Sequence, residues 1–464
     1  MDDLLWAGGD AQAAALREGR TTAPELLEAV LARIARVDPQ LNAFRAVFAD
    51  EARAAARAAQ ERLDAGERTP LLGVPIAVKD DVDVAGDATG FGGRPQYPPA
   101  ERDSEMVARL RAAGAVIVGR TNVPERCMWP FTETLARGAT RNPWSLDHTP
   151  GGSSGGTGAA VAAGLVGVAT GSDGGGSIRI PAALCGLVGI KTTRDLVATA
   201  PSGEIWHGLS VFGPLGRTVA DAAAMLDVIA ADGAATGEAD GGSYRAAADA
   251  DPGRLRIALA WNGPLGPSPI ERQRRAAVRE TAERLRALGH EVVERELPVG
   301  VRAFAQFLVR YLRGAGDDVA GLPHPEWLER RGRAMRRHGR LVPDRALRWA
   351  RAGEADVHAA LDPFLREFDV VLQPSLIGPP WRIGAFHGRG ALATILGVAL
   401  RIPTLPLWNL VGYPVVSLPV GRDRAGLPMA VQLAGAAGSE RRLLSLAGQL
   451  ERERPWVGDR PPLD

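Results

Sequence analysis

The sequence predicts an α/β protein, and three observations lead to that class. Short apolar runs with strand character alternate with longer helical stretches along most of the chain. The 464 residues, 45% of them hydrophobic, are enough for a substantial core, either in two or three domains or in one large domain. No internal repeat and no bilayer-spanning apolar run interrupts the pattern. Disordered, collagen-like and disulfide-scaffold classes are therefore excluded.

The first seventy residues are predicted to be helical. Thr22 to Glu25 has the spacing of a capping box with a proline in the first turn, and apolar residues follow at helical spacing over 26–37. A second, Ala/Arg-rich helix is predicted from about residue 42 to residue 63. The apolar run 73–78 then predicts a strand that ends at Lys79.

The middle of the chain is unusually rich in glycine. Residues 107–110 predict a helix and residues 115–118 a buried strand. Two Gly/Ser-rich loops, 150–156 and 171–179, then flank one apolar segment. Glycine at this density indicates close backbone approach or unusual φ/ψ angles, whereas a flexible linker would not lie between apolar elements.

After about residue 230 the polar stretch 234–253 predicts a loop or linker. Beyond it the same alternation resumes. The predicted strands are 255–260, 291–293, 370–372 and 415–418, and the predicted helices are 272–288 and 443–450.

Charge and cysteine content exclude several classes of partner. The chain has 55 basic and 54 acidic residues, and its net charge of +1 is too small to attract it to nucleic acid or to an anionic membrane. Cys127 and Cys185 are too few for a disulfide framework or a Cys-rich metal site. The acidic start, residues 1–3, is not followed by a long apolar run, so we expect no signal peptide and a cytoplasmic protein.

Lysine usage identifies a candidate base. Lysine occurs only at Lys79 and Lys191, which indicates that a retained lysine has a role arginine cannot fill. The apolar strand before Lys79 would favour its neutral amine, and a neutral lysine can serve as base for a serine nucleophile. Ser153 and Ser177 follow in the two glycine loops. The Gly-Gly-Gly run before Ser177 can direct several backbone N–H groups at one point, as an oxyanion hole requires.

The sequence also contains partial matches to two other motifs, one for phosphate binding and one for serine hydrolases. A Walker-type phosphate loop needs glycine before the lysine, but Ile190 precedes Lys191 and Thr192. Residues 152–156 satisfy G-x-S-x-G with Ser154 as nucleophile, and histidines follow downstream. A Ser-His-Asp α/β-hydrolase esterase therefore stays as an alternative.

Segments across nearly the whole chain match one set of motifs. Residues 73–80 read G-V-P-I-A-V-K-D, residues 119–122 read G-R-T-N, and residues 141–144 read R-N-P-W. Residues 150–156 read P-G-G-S-S-G-G, and residues 171–182 read G-S-D-G-G-G-S-I-R-I-P-A. Later matches are 213–215, Asn409, Gly412, Pro414, 426–428 and Gln432. On these motifs the chain resembles the amidase signature family.

The resemblance implies a fold and an activity. The fold is a single domain over 1–464 with a twisted mixed β-sheet and helices on both faces. Its parts would be an N-terminal helical part, 1–70, a signature core, 71–232, and a C-terminal part, 254–464, that completes the sheet. The activity is amidohydrolysis of a carboxamide C–N bond to give a carboxylic acid and ammonia or an amine.

The resemblance also implies residue roles. Ser177 would be the nucleophile, Ser153 the bridging serine after a cis peptide bond, and Lys79 the base. The oxyanion would be held by the backbone N–H groups of Gly174, Gly175, Gly176 and Ser177. Neutral Lys79 would take a proton from Ser153, which takes one from Ser177 as an acyl-enzyme forms.

No metal or cofactor is implied. The expected partner is a small-molecule amide, with no nucleic acid and no membrane, and a homodimer is left open. Ser154 is expected to support its loop by hydrogen bonding, and Asp173 and Arg179 are expected to pair and fix the nucleophile loop. Lys191 is expected to serve the fold.

Four positions depart from the family pattern, one of them Asp195, where the family has a glycine. Gly174 stands where the family commonly has a larger residue, which predicts a more mobile loop. Residues 191–193 read K-T-T in place of K-P-T, and Arg120 replaces a lysine.

Substrate predictions rest on a few aromatic residues and one basic segment. By position, Cys127, Met128 and Trp129 are expected near the acyl pocket, and further candidates are Trp206, His207 and Trp408. These residues predict an apolar or aromatic acyl group. Residues 326–351 hold nine arginines, which indicate a solvated helix face or an anionic partner. With RNA as that partner, the alternative function is the A subunit of a tRNA-dependent amidotransferase.

Overall fold

An eleven-stranded sheet organises the molecule. The computed structural model describes residues 1–231 and 242–463. In chain order the strands are β1 (Phe44–Val47), β2 (Pro75–Lys79), β3 (Val116–Thr121), β4 (Glu133–Thr134), β5 (Gly138–Ala139), β6 (Val168–Asp173), β7 (Val188–Lys191), β8 (Val211–Gly216), β9 (Arg256–Leu259), β10 (Asn262–Gly263), β11 (Gly266–Pro267), β12 (Glu291–Glu294), β13 (Val370–Pro374), β14 (Val415–Arg422) and β15 (Pro428–Ala434).

Helices cover the sheet and fill the connections between its strands. They are α1 (Asp2–Trp6), α2 (Gly9–Arg17), α3 (Ala23–Leu41), α4 (Ala49–Asp64), α5 (Glu105–Ala112), α6 (Gly155–Ala162), α7 (Arg179–Cys185), α8 (Val219–Ile229), α9 (Tyr244–Asp249), α10 (Arg272–Ala287), α11 (Val301–Ala320), α12 (Arg330–Arg340), α13 (Asp344–Ala352), α14 (Glu354–Glu367), α15 (Ala391–Ala399), α16 (Pro406–Val411) and α17 (Glu440–Glu453). Within residues 1–231 and 242–463, every helix is too short or too polar to span a bilayer.

The sheet is mixed and joins the two halves of the chain. Its strand order is β1-β3-β2-β6-β8-β7-β14-β15-β13-β9-β12. β2 is parallel to both β3 and β6, whereas β14 crosses from the second half to pair antiparallel with β7. Every residue of β2, β3 and β6 is buried, as expected for strands covered on both faces. The predicted α/β class with one large mixed sheet is confirmed.

Local sequence signals place many elements correctly. The capping box is present, because the Thr22 hydroxyl accepts the Glu25 N–H at 3.3 Å and Glu25 accepts the Thr22 N–H at 3.0 Å. The predicted strand 73–78 corresponds to β2 and does end at Lys79. The predicted helices 272–288 and 443–450 correspond to α10 and α17.

Two predictions were wrong, one for the start of a helix and one for part of a linker. The helix predicted over 42–63 begins only at Ala49, because 44–47 forms the edge strand β1 against β3, a pairing that local propensity does not report. Of the predicted linker 234–253, residues 234–241 lie outside the described residues. Residues 244–249 form α9, which the Ser243 hydroxyl caps by accepting the Ala246 N–H.

Strand β8 was not predicted, because its Gly-Pro-Leu-Gly sequence is typical of a turn. It nevertheless pairs with β6 along its full length. A Cβ at Gly213 would lie 2.1 Å from the Ile190 carbonyl oxygen, so only glycine fits at this strand position. The glycine marks a close approach between β8 and β7.

Candidate active site

Lys79 is the last residue of β2, and its buried side-chain nitrogen contacts three side chains. Its Nζ donates to the hydroxyl oxygens of Ser153 at 2.7 Å and Ser172 at 2.6 Å. It also lies 3.1 Å from Oδ2 of Asp81. The Ser172 hydroxyl in turn donates to that same Asp81 oxygen at 2.5 Å. Lys79 is 1% exposed, so these contacts are shielded from solvent.

The parallel pairing of β2 and β6 brings this cluster together. Ile76 lies beside Val168 in the ladder, so the carboxyl ends of both strands open at the same edge. Lys79 ends β2, and Ser172 comes one residue before the end of β6. The Thr170 hydroxyl accepts the Lys79 backbone N–H at 3.0 Å and links the two strands at this point.

Ser153 lies in the first glycine loop, just before α6. The Gly152–Ser153 peptide bond is cis, as the family resemblance implies. A Cβ at Gly152 would lie 2.6 Å from the Trp129 carbonyl oxygen, so glycine lets this loop pack on the backbone beside it. Ser154 is fully buried and its hydroxyl donates to the Ser172 carbonyl oxygen at 3.4 Å. That contact agrees with a supporting role for Ser154.

Ser177 lies in the second glycine loop, between β6 and α7, and is only partly buried. Its carbonyl oxygen accepts the Ser154 N–H at 3.2 Å, which joins the two glycine loops. In the described part of the chain its hydroxyl makes no hydrogen bond, including none to Ser153. The hydroxyl instead faces open space, since Ser177 lines the two cavities described below.

A buried ionic network holds the second glycine loop, which carries Ser177. Arg179 donates to both carboxylate oxygens of Asp173 at 3.0 Å, and Asn409 donates to Asp173 at 2.9 Å. Burial alone would raise the pKa of Asp173, but the charge and hydrogen bonds of Arg179, with Asn409, hold that pKa below its ordinary value. The predicted pairing of Asp173 with Arg179 is present in the structure.

The Asp173 carboxylate also accepts a hydrogen bond from one of the four backbone N–H groups expected to hold the oxyanion. The Gly176 N–H donates to Oδ1 of Asp173 at 2.7 Å, so it holds the loop together and is not available to a ligand. Within residues 1–231 and 242–463, the N–H groups of Gly174, Gly175 and Ser177 have no hydrogen-bond partner. Three of the four expected donors therefore stay available.

Two cavities meet at Ser177. The apolar chamber, of about 80 Å³, lies under α11 and α15. Its lining includes Cys127, Met128, Trp129, Gly175, Ile180, Trp206, Phe307, Tyr311, Ile395 and Val398. The polar chamber, of about 160 Å³, lies on the side of the lysine cluster. Its lining includes Asp81, Arg126, Cys127, Ser153, Ser172, Gly174, Glu204, Trp206 and Asp318.

The structure brings all four predicted substrate-binding residues of the site to these chambers: Cys127, Met128, Trp129 and Trp206. Burial raises the pKa of the Cys127 thiol to about 12, so it is not a thiolate at neutral pH. The other two aromatic-ring candidates lie elsewhere. Trp408 is fully buried and donates to Gln373, and His207 contacts Asp317 on the outside of α11.

Trp206 occupies the space that Gly174 leaves free. A Cβ at position 174 would lie 2.8 Å from the Trp206 ring. The indole N–H donates to Asp318 at 2.9 Å, and the ring packs edge-on against Tyr311. The departure from the family pattern at Gly174 thus accommodates a tryptophan between the two chambers.

Sequence reasoning missed Asp81, Ser172 and the walls of the apolar chamber. An acidic residue two positions after the strand-terminal lysine was the available signal for Asp81. For the walls, the aromatic residues of α11 recur at helical spacing, with Phe307 and Tyr311 stacked on one face. No local signal indicates which cavity that face covers.

Two charged groups near the site, Arg120 and Lys191, hold the fold together. Arg120 pairs with Asp80 and Asp87 in a buried cluster. Lys191 donates to the carbonyl oxygens of Thr192 and Tyr413 at 2.8 Å, and burial lowers its pKa to about 7. In the described part of the chain, no three His, Cys, Asp or Glu side chains gather in an arrangement that could hold a metal ion.

The Arg-rich segment forms α12 and α13 and is more than a solvated face. Arg331 lies over the rings of Trp129 and Phe131, 5.1 and 5.0 Å from their centroids. The helix therefore supports the outer wall of the apolar chamber through Trp129. Other arginines of α12, including Arg330, Arg333 and Arg337, line a separate surface groove.

Comparisons with known proteins agree over nearly the full length. A family model described as Amidase matches residues 25–444. AmiB2 of Mycobacterium tuberculosis is 50% identical over 461 residues, which cover 99% of this chain and 98% of that protein. The 6-aminohexanoate-cyclic-dimer hydrolase of Paenarthrobacter ureafaciens is 33% identical over 99% of this chain and 97% of that protein.

A solved structure of the same kind of hydrolase has a similar fold. A structure of 6-aminohexanoate cyclic dimer hydrolase superposes with a TM-score of 0.88 at 31% sequence identity. The superposition covers 99% of both chains. Sequence and fold therefore lead to the same group of enzymes.

Proposed function

This chain belongs to the amidase family and hydrolyses amide C–N bonds, and from that premise we propose that it uses a Ser177 acyl-enzyme with Ser153 as bridging serine and Lys79 as base. The observation that carries the proposal is the 2.7 Å contact between the Lys79 Nζ and the Ser153 hydroxyl, in a cluster that opens on the cavity facing Ser177. A buried lysine bonded to a serine beside a free serine hydroxyl is the geometry of an activated nucleophile.

In the first step, Lys79 takes a proton from Ser153 while Ser153 takes the proton of Ser177. The Ser177 Oγ attacks the amide carbonyl carbon, and the carbonyl oxygen becomes an oxyanion. The unpartnered N–H groups of Gly174, Gly175 and Ser177 are the donors that would stabilise it. The hydrogen bond between Ser177 and Ser153 would form as substrate enters, since such contacts often tighten only in the complex.

In the second step, the C–N bond breaks and the leaving nitrogen receives the proton through Ser153. Water then attacks the Ser177 ester and gives up a proton to the same relay. The acid product leaves and the Ser177 hydroxyl is restored. The net reaction is amide plus water giving carboxylic acid plus amine or ammonia.

Asp81 and Ser172 would stabilise the positive charge that Lys79 carries after each proton transfer. Asp81 supplies a carboxylate, and Ser172 a hydroxyl oxygen, within hydrogen-bond distance of Nζ. A charge formed in a buried site needs such partners, because burial removes much of the solvation that the charge would have in bulk water.

An acyl-site probe tests the nucleophile. A fluorophosphonate should label the wild-type chain at Ser177, and Ser177→Ala should abolish both labelling and amide hydrolysis. Ser154→Ala is the matched control: its buried hydroxyl lines neither chamber, so labelling should persist. Peptide mapping that places the adduct on Ser154 would overturn the proposal and support the α/β-hydrolase alternative.

The purified chain alone should release ammonia or amine from carboxamides without ATP. Activity that appears only with partner subunits, ATP and glutamine would support the amidotransferase alternative. The cytoplasmic location and the homodimer stay predictions, and size-exclusion chromatography with light scattering tests the second.

A further inference from the structure

The lysine cluster opens on only one of the two chambers, and this fixes the direction of a bound substrate if the proposed function holds. Asp81, Ser153 and Ser172 line the polar chamber and are absent from the lining of the apolar chamber. The leaving nitrogen must take its proton from Ser153, so it has to lie on the polar side of Ser177. The acyl group then enters the apolar chamber.

The polar chamber is larger than ammonia needs. Its volume of about 160 Å³ is comparable to a cavity of about 150 Å³ that binds benzene. A primary carboxamide would place only an NH₂ group there and would leave most of the chamber to water. The volume therefore favours a substituted amine as leaving group.

Arg126 provides the chemistry that would recognise this amine. Its side chain is 11% exposed, its Nε is buried without a partner, and its guanidinium makes no hydrogen bond within the described residues. The guanidinium lies 4.1 Å from the centroid of the Phe91 ring, which holds its plane. Asp318 is the nearest carboxylate, at 3.8 Å, and it already accepts the Trp206 indole N–H. A guanidinium fixed in this way has donors free for a carboxylate.

The other charges of the chamber are already paired more closely. Asp81 lies 3.1 Å from Lys79, and Glu204 lies 2.6 Å from Arg351. Arg126 and Asp318 form the loosest pair in the chamber. A substrate carboxylate in this chamber would therefore meet a guanidinium with unused N–H donors. Two hydrogen bonds to Arg126 would offset the repulsion between that carboxylate and Asp318.

We propose that the preferred substrates are N-acyl amino acids, secondary amides whose apolar acyl group fills the apolar chamber and whose leaving amine carries a carboxylate bound by Arg126. Hydrolysis adds one water across the C–N bond and gives a carboxylic acid and a free amino acid. This inference rests on the proposed acyl-enzyme mechanism, because the mechanism sets which side the amine occupies.

Three substrates test it, all with a butanoyl group, which is small enough for the apolar chamber of about 80 Å³: butanoylglycine, N-propylbutanamide and butanamide. The wild-type enzyme should show a kcat/KM for butanoylglycine at least tenfold above that for each of the other two. Arg126→Gln should lower kcat/KM for butanoylglycine about 30-fold, mostly through KM, and leave the propylamide within threefold.

Arg331→Gln is the matched control, since Arg331 stacks on the wall of the apolar chamber and should affect all three substrates alike. The inference is overturned if the wild-type enzyme has a higher kcat/KM for either neutral amide than for the carboxylate substrate. That comparison requires no variant. An equal loss of the glycine and propyl substrates in Arg126→Gln also overturns it. If none of the three amides nor any other carboxamide is hydrolysed, the proposed function itself fails.

Discussion

The Asp81 carboxylate lies 3.1 Å from the Nζ of Lys79, inside a cluster where Ser172 bonds both groups. The contact joins an acid and a base two residues apart, at the point where β2 ends. A base paired in this way has a counter-charge ready when it accepts a proton. Asp81 thus adds a fourth group to the three expected at the reacting centre.

Asp81→Asn should lower kcat about 10- to 100-fold while KM stays within threefold, because the amide keeps the shape but loses the charge that stabilises protonated Lys79. Steady-state kinetics on one secondary amide measure both constants. Asp83→Asn, a nearby carboxylate that accepts the Thr89 hydroxyl, is the control and should change little. An Asp81→Asn enzyme with wild-type kcat would show that the carboxylate has no part in the chemistry.

The two lysines form a matched pair for the base assignment. Lys79→Arg and Lys79→Ala should each lower kcat roughly 10³-fold or more, because arginine keeps the charge but cannot act as a base at neutral pH. Lys191→Ala should keep kcat within tenfold of wild type and lower the melting temperature, since within the described residues Lys191 donates only to backbone carbonyl oxygens. A folded Lys79→Arg protein within tenfold of wild type would contradict the assignment.

Much of the site could be predicted because its residues stand in short motifs with a chemical reason for each position. The strand before Lys79 and the glycine loops around Ser153 and Ser177 are local features that sequence patterns report well. The capping box at Thr22 is equally local. The glycines at positions 152 and 174 are part of a recognisable pattern. The sequence does not show which neighbouring group each of them leaves room for.

The rest depends on contacts between distant segments. Asp81 reaches Lys79 through the turn after β2, and Ser172 reaches both only because β6 lies parallel to β2. The chamber walls come from α11, more than a hundred residues beyond the loops it covers. Strand β1 was predicted to be helical because its partner β3 is about seventy residues away. Long-range pairing decides such segments, and local propensity does not record it.

Gly174 and Trp206 should behave as a coupled pair. Gly174→Ala adds a Cβ that would lie 2.8 Å from the indole, so the ring must move and both chambers change shape. We expect KM to rise on the order of tenfold with a smaller change in kcat, because overpacking displaces the lining and leaves the relay in place. Steady-state kinetics with a secondary amide measure the change.

Two further variants make that prediction specific. Gly390→Ala, where a Cβ would meet nothing within 4 Å, is the control and should resemble wild type. In the double variant with Trp206→Leu, the two losses should be less than additive, since the smaller side chain leaves room for the added methyl. Full additivity would show that the two positions do not compete for the same space.

Glu451 on α17 should make stability fall as pH rises. Burial, with help from the charge of Asp221, raises the pKa of Glu451 from 4.5 to about 8 in the folded chain. One oxygen accepts the Val219 N–H at 3.0 Å, and the other is buried without a partner. Between pH 4.5 and pH 8 the folded chain holds a proton on Glu451 that the unfolded chain releases.

The free energy of unfolding should therefore drop across that pH range by up to about 5 kcal/mol from this group alone. Glu451→Gln cannot titrate, so its stability relative to wild type should rise steadily from pH 5 to pH 8.5 in urea unfolding. Asp221, whose pKa burial raises to about 6, is present in both proteins and cancels in the difference. Glu453→Gln, on the same helix but paired with Arg284 at the surface, is the control for the loss of a carboxylate from α17. A difference between wild type and Glu451→Gln that does not change with pH would mean that Glu451 is ionised in the folded protein throughout this range.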